Sequence, residues 1–531
     1  DTVLLKSTIM KEYILKFILI FLKTFYYISH PFYHIYICLN YYRNNKNKLP
    51  MFSNKLLEIP AVDLADKIRL QEIKSEDVVR AYIERIEAVN PHINAIVESG
   101  FVQALNLARK VDKMCQETPA DELQEQYPLL GVPFTVKESC RLSHFLCTQG
   151  SVNRKVVRST ENGEAVGHLL DAGAVPLLVS NTPEFCYNWE SFNYVTGRTL
   201  NPYNRQRTSG GSSGGEGALL GSGASVFGVG SDVAGSIRIP ALFNGIFGHK
   251  PTRRVVSIAG HAPLPKDESG ANYLVIGPMC RYAKDLPLLL HIMAGPNGPQ
   301  LNLFESISWK DIKVFHFEEI KSLFIVPLTK DTRVNFWKVV KHFEDVGSNV
   351  EALNMDLTKA MEISLSFLTM VPTDYVTLDP KNPKSSPSIY WEIIKSTFGM
   401  SQFTFASLFF CILTDQRAFI PEKAIQRYRL MGEKIRNCLI NILGDDGVLL
   451  MPTCSSNAWL HYEYVGNMSS LVYVILFNAL GFPSTHVPTG LSAKGLPLGI
   501  QVIAAPHQDR LCLTMAKHLE EVFGGWTPPT K

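Results

Sequence analysis

The tract Thr208–Pro240, TSGGSSGGEGALLGSGASVFGVGSDVAGSIRIP, holds ten glycines and seven serines in thirty-three residues, with no histidine, no cysteine and no threonine beyond its first residue. Glycines at this density let a helix approach a sheet closely, which accounts for GGEGALLGSG but not for the hydroxyls. The tract sits within a series of short apolar runs: GVPFTV from residue 131, AVPLLV from 174, VFGVG from 226, GVLLMP from 447 and GIQVIA from 499. Helical patterns separate many of them, as in Lys423 to Leu443 and Asp509 to Phe523. Ser75 reads as a helix cap, followed by acidic Glu76 and Asp77 and by Val78, Val79, Tyr82, Ile83 and Ile86 on one face, with Pro91 ending the pattern. Strands alternating with helices argue for an α/β body with a largely parallel sheet covered on both faces. No repeat or Pro/Ser-rich linker splits it, so residues 51–531 are expected to form one domain behind a separate segment 1–50.

That segment differs in kind. Tyr13 to Leu39 is rich in Ile, Leu, Phe and Tyr, and the uncharged run Thr24 to Tyr42 is nineteen residues long, about the length a membrane-spanning helix requires. Lys11, Lys16 and Lys23 precede the run, and Arg43, Lys46 and Lys48 follow it in a basic link. Against a simple span stand Pro31 and a polar stripe of Lys16, Lys23 and His30 at seven-residue intervals, which suits an anchor lying in the interface equally well. His30 and His34 have a metal-ligand spacing but are assigned no metal. Met10 and Met51 are both candidate starts, and a start at Met51 would omit the segment. No small-residue cleavage site closes the run, so no signal peptide is expected. Fifty-two basic against forty-nine acidic residues leave a formal charge of +3, too balanced for the footprint of a nucleic-acid binder. The ten cysteines include no C-x-x-C and no zinc spacing, and they read as mostly buried thiols. Asn467-Met468-Ser469 has the form of a glycosylation sequon.

What, then, activates the serines? GGSSG fits G-x-S-x-G on both Ser212 and Ser213, but a nucleophile elbow needs a strand directly before the serine, and NPYNRQRTSG reads as loop. His249, His291 and His486 are the histidines weighed as partners, each by default a packed or solvated side chain. Neither phosphate-loop motif occurs in the tract. A lysine in its amine form remains, provided burial disfavours the ammonium. Lys137, at the end of LLGVPFTVKES, is the candidate. A lysine after a strand is ordinarily a surface residue, so its case rests on the constellation around it.

Ordered motifs from about Leu57 to Trp526 carry a resemblance: RIEAVNPHINAIVE, LLGVPFTVKES, GGSSGGEGALL, GSDVAGSIRIPALFNGIFGHKPT, GPMCRYAKDL, DDGVLLMPT, FNALGFPSTHVPTGL and GLPLGIQVIA. The chain resembles the amidase signature family and, within it, the fatty-acid amide hydrolases, most closely their type-2 branch. The resemblance implies an α/β amidase-signature fold, with a large mixed central sheet covered by helices on both faces and an N-terminal membrane-anchoring segment. It implies a Ser-Ser-Lys triad: Ser236 in AGSIRIP the nucleophile, Ser212 the bridging serine after a cis Gly211–Ser212 bond, and Lys137 the base. The oxyanion hole falls to the backbone N–H groups of Val233, Ala234, Gly235 and Ser236, with Ala234 where the family commonly has glycine. Ser213, Asp232 and Arg238 match supporting positions, and His249 and Lys250 in GHKPT look like scaffold.

The implied activity is hydrolysis of long-chain fatty-acid amides, such as primary amides and N-acylethanolamines, through an acyl-enzyme. The apolar runs ISLSFLTMV and MSQFTFASLFFCIL within Met361 to Leu413 suit either buried helices or an acyl-chain channel opening toward a membrane. No cofactor, metal or nucleic acid is expected; membrane lipid is, and a homodimer is left open. The expected location is the endoplasmic reticulum or another intracellular membrane. The rival readings are a small-molecule amidase of the same family, a glutamine-dependent amidotransferase subunit, and a non-catalytic membrane scaffold.

Overall fold

The computed structural model describes residues 49–51, 54–264, 268–369, 371, 387–414 and 422–529, with isolated helical positions between 17 and 35. The apolar runs become strands of one eleven-stranded sheet. In chain order these are β1 (Ile96–Ser99), β2 (Pro133–Lys137), β3 (Val175–Ser180), β4 (Phe227–Asp232), β5 (Phe247–Lys250), β6 (Val275–Cys280), β7 (Lys313–His316), β8 (Val350–Ala352), β9 (Gly447–Pro452), β10 (Ser484–Leu491) and β11 (Pro497–Ala504). Their spatial order is β1-β3-β2-β4-β6-β5-β10-β11-β9-β7-β8.

The sheet is mixed, as the family resemblance implies, and not largely parallel, as strand–helix alternation suggests. Parallel pairing is confined to β3-β2-β4 and to β8-β7-β9. The strands between them pair antiparallel. The reason is local for β10 and β11: only Ser492–Leu496 separates them, too short for a crossover but enough for a hairpin turned by Gly495 at φ 70°.

Helices cover both faces. The principal ones are α1 (Ser75–Ile93), α2 (Gly214–Gly221), α3 (Arg238–Asn244), α4 (Lys330–Asp345), α5 (Ala360–Leu368), α6 (Phe405–Thr414), α7 (Glu422–Leu443), α8 (Val472–Leu480) and α9 (Asp509–Phe523). Side chains of β9 alternate between two cores. Val448 and Leu450 join Phe336, Val339 and Phe343 of α4, while Leu449 and Met451 join Leu439 and Leu443 of α7 and Leu476 and Phe477 of α8. Such two-sided burial makes β9 read as a continuous apolar run rather than an alternating one.

Two local expectations are corrected. Ser75 is the first residue of α1 and not its cap; the helix start is closed from elsewhere, by the Asp112 carboxylate accepting from Ser75 N at 2.6 Å and Glu76 N at 3.1 Å. Pro91 lies inside α1, which ends only at Asn94 in the left-handed conformation, φ 48°. The sequon is buried, with Asn467 only 1% exposed, so the folded chain offers it no access to a glycosyl donor. The cysteines at 115, 140, 147, 280, 411, 454 and 512 are buried thiols, as expected, whereas Cys186 is half-buried and Cys438 exposed.

Much of the apolar stretch Tyr13 to Leu39, His34 and Lys16 among it, lies outside the described residues. Among the described residues no helix is long and apolar enough to cross a membrane. At the described positions of this stretch Lys23 and His30 turn toward the body: Lys23 Nζ donates to the Leu323 and Ile325 carbonyls at 3.0 and 3.1 Å, and His30 meets Glu463. Phe17, Phe21, Ile28, Phe32 and Ile35 are exposed.

Candidate active site

β2 runs parallel to β3 on one side and to β4 on the other. The chain leaves β2 toward β3 and leaves β4 in the opposite direction across the sheet, so a crevice opens at their carboxyl ends, where α/β sheets place ligands. β2 is buried on both faces. Phe134 and Val136 enter the main core, Phe134 stacking on Phe227 of β4 at 5.3 Å, and Thr135 and Lys137 face the other way. The period of two thus delivers one amine to the crevice.

Opposite it, the glycine tract brings the backbone in. The Gly211–Ser212 peptide bond is cis, as the resemblance implies. A Cβ on Gly211 would come within 2.5 Å of the Asn188 carbonyl, and one on Gly215 within 2.6 Å of the Asn181 backbone. Close packing of α2 is therefore real, and it serves to seat Ser212 beside the lysine. Lys137 Nζ lies 2.7 Å from Ser212 Oγ, 2.9 Å from Ser231 Oγ and 3.4 Å from the Ser231 carbonyl. Lys137 is fully buried and Ser212 nearly so, while Ser236 is 7% exposed and lines the same cavity as Ser212. Ser213 braces the pair of loops: its N–H donates to the Ser236 carbonyl at 3.2 Å and its Oγ to the Ser231 carbonyl at 3.3 Å.

The turn carrying Ser236 is held by a buried ion pair. Arg238 Nε and Nη2 donate to the two oxygens of Asp232 at 3.1 and 3.2 Å, and Asn478 Nδ2 donates to Asp232 at 2.9 Å. Burial alone would raise the Asp232 carboxyl, but the Arg238 guanidinium, with help from Lys250 and the Ile237 N–H, holds it down at about 2. Asp232 also accepts from Gly235 N at 2.7 Å and Ile237 N at 3.1 Å. The Gly235 N–H is thus occupied inside the protein, in contrast to the expectation that all four of the turn's N–H groups face a ligand. Those of Val233, Ala234 and Ser236 have no acceptor among the described residues. Gly235 sits at φ 94°, where a side chain is disfavoured and a Cβ would strike Val474 at 2.4 Å. Ala234 has no such positive φ, so alanine in a customary glycine position costs the turn nothing.

Both serines open into one cavity. Ser212, Ser236, Ser231 and His261 form its polar end, and Phe185, Tyr187, Trp189, Leu274, Val371 and Phe410 much of the remainder. Phe410 of α6 stacks on Tyr187 at 4.4 Å, and Trp189 Nε1 donates to the Ala234 carbonyl at 2.8 Å. Val371 and Phe410 come from the two apolar runs singled out in the sequence, so those runs supply both buried helices and cavity wall.

None of the three histidines weighed from sequence approaches the serines as a base. His249 pairs with Thr485 Oγ1 at 2.7 Å and Asp509 at 3.1 Å, His486 with Thr453 Oγ1 at 2.8 Å, and His291 packs edge-on to Phe304. The histidine at the site is His261, in the loop between β5 and β6 and outside every motif; its Nε2 lies 2.9 Å from Ser231 Oγ. Ser231, five residues before Ser236, lies inside the motif GSDVAGSIRIPALFNGIFGHKPT, but the resemblance implies no role for it. Nothing in SIAGHAPLP distinguishes His261, because loop contacts have no periodicity to read.

The sequence profile described as Amidase matches residues 77–513. The chain is 40% identical over 487 residues to fatty-acid amide hydrolase 2 of Homo sapiens, covering 90% of this chain and 91% of the human protein. It is 40% identical over 501 residues to fatty-acid amide hydrolase 2-A of Danio rerio, covering 92% and 93%. A solved structure titled fatty acid amide hydrolase superposes with a TM-score of 0.71 at 22% identity, over 89% of this chain and 86% of that one, a likeness of fold.

Proposed function

The chain belongs to the amidase family and is an amide-hydrolysing enzyme, and on that premise we propose that it cleaves long-chain fatty-acid amides, primary amides and N-acylethanolamines, through Ser236, Ser212 and Lys137. The carrying observation is the 2.7 Å contact between Lys137 Nζ and Ser212 Oγ at the polar end of an otherwise largely apolar cavity. Lys137, acting as the amine, takes the proton of Ser212 as Ser212 takes that of Ser236, and Ser236 Oγ attacks the substrate carbonyl. The N–H groups of Val233, Ala234 and Ser236 receive the developing oxyanion, while Gly235 N–H, tied to Asp232, fixes the turn. The relay reverses to protonate the departing amine, and water then releases the fatty acid from Ser236.

Membrane association belongs to the same reading. Tyr390, Trp391, Ile394, Phe398 and Met400 are exposed just before α6, which carries Phe410 into the cavity. With the apolar residues exposed near the amino terminus, they suit a lipid surface of the endoplasmic reticulum or another intracellular membrane, from which an acyl chain would enter. A fluorophosphonate should label Ser236 alone, and kcat/KM should rise with acyl length at a fixed headgroup. Labelling retained in Ser236→Ala overturns the nucleophile. A preference for short amides points to a small-molecule amidase, and glutamine-dependent activity with co-purifying subunits to an amidotransferase.

A further inference from the structure

Three oxygens surround Lys137 Nζ: Ser212 Oγ at 2.7 Å, Ser231 Oγ at 2.9 Å and the Ser231 carbonyl at 3.4 Å. An amine has two N–H bonds and one lone pair. For the lone pair to face Ser212, both N–H bonds must face Ser231. The Ser231 carbonyl can only accept. The Ser231 hydroxyl can either accept from the lysine or donate to it, and in the second arrangement it takes the lone pair that Ser212 needs.

His261 chooses between the two. Its Nδ1 lies 2.8 Å from the Pro263 carbonyl, an obligate acceptor, so Nδ1 carries the ring proton. The ring is 3% exposed. Burial above all pulls its pKa down to about 3, against the raising effect of the Pro263 carbonyl, so the imidazole is neutral. Its Nε2 is then a bare acceptor 2.9 Å from Ser231 Oγ. The Ser231 hydroxyl therefore donates its hydrogen bond to His261, and the Ser231 oxygen is left to accept from Lys137.

We propose that His261 is a positioning residue for the lysine base: by accepting a hydrogen bond from the Ser231 hydroxyl it leaves the Lys137 lone pair directed at Ser212. The role rests on the reading of Lys137 as the base. His261 transfers no proton during turnover; it sets which way a neighbouring hydroxyl points.

The test is steady-state kinetics of the full chain on a long-chain primary amide. General-base help is worth about 10²- to 10⁴-fold, so His261→Leu, which removes the acceptor, should lower kcat by about 10-fold or more with KM within about twofold. His261→Gln places an amide oxygen where Nε2 stands and should restore most of the loss. His261→Asn reaches only the Nδ1 position and should not, and it serves as the deletion variant if melting shows His261→Leu poorly folded. Because the effect passes through Ser231, the double variant His261→Leu/Ser231→Ala should be no slower than Ser231→Ala alone. A kcat within about twofold of the parent in both deletion variants, a change confined to KM, a Gln variant as slow as Asn, or losses that multiply in the double variant would each overturn the role. Lys137→Ala measured alongside separates the two readings. If it leaves amide hydrolysis intact, the catalytic reading itself fails; if it is crippled while His261→Leu is unaffected, only the positioning role does.

Discussion

Asp232 and Lys137 set the two demands on single residues here, one buried charge that must stay paired and one amine that must stay mobile in its protons. Asp232 and Arg238 are both fully buried, so removing the guanidinium strands a carboxylate without its main partner. Arg238→Ala should lower stability by about 3–5 kcal/mol, read from denaturant unfolding, and loosen the turn that holds Ser236. The Asp232 carboxyl is held at about 2, below its ordinary 3.8, so its contribution is present above that ordinary value and is lost only as pH falls through about 2. Lys137 is proposed to act twice, and the second step matters more for amides, because a nitrogen that leaves without gaining a proton departs as an amide anion, a far worse leaving group than an alkoxide. Lys137→Ala should therefore slow amide hydrolysis by about 10²-fold or more and ester hydrolysis less, and comparable losses on matched substrates would count against the relay. At this scale the sequence was legible where a residue sits in a run of fixed spacing. Lys137 ends an apolar strand, and Ser212, Ser231 and Ser236 sit in the glycine tract, Ser231 on the neighbouring strand β4, whereas His261 meets them only through the folding back of a loop.

Elements were legible where burial leaves a pattern and misread where topology decides. The runs at 131, 174, 226, 447 and 499 all became strands, and the helix expected over Asp509–Phe523 forms at those bounds. Direction of pairing leaves no such trace, since a strand buried on both faces is apolar whether its neighbour is parallel or antiparallel. Capping was misread for a similar reason: Asp112 closes the start of α1 from a distant part of the chain. α6 is the element through which specificity is most directly testable. Phe410 on its inner face stacks on Tyr187, and the wall loop is tied to α6 by Glu184, which accepts from Thr404 N at 2.7 Å. Phe410→Ala removes an apolar side chain whose burial is worth roughly 1.5–3 kcal/mol, and should cut kcat/KM for long acyl amides by about 10-fold while sparing short ones. An equal loss for both chain lengths would assign Phe410 to packing rather than to the acyl chain.

Over the whole molecule, buried titratable groups around the site oppose one another, and their balance sets how stability varies with pH. Glu138, Glu184 and Glu216 are each pushed up to about 7 by burial, against hydrogen bonds that lower them. A carboxyl raised in the folded state stabilises fully below its unfolded value of 4.5, and that contribution is lost as pH rises through about 7. His261 and His486 are pulled down to about 3, chiefly by burial, so they act with the opposite sign: their contribution is present above 6.5 and is lost as pH falls through about 3. The parent should therefore be most stable near the middle of this range and decline on both sides. The two arms can be separated by substitution. Glu216 sits under β2, accepting from Thr135 Oγ1 at 2.6 Å, and glutamine keeps its shape without a group to ionise. Between about pH 5 and about pH 8 the melting temperature of Glu216→Gln should gain on that of the parent by a few degrees, because only the parent must either carry a buried charge or hold its proton against the solvent. Were the two melting curves to stay parallel across that range, Glu216 would have to ionise as freely in the folded protein as in the unfolded chain, which its burial between α2 and the sheet argues against.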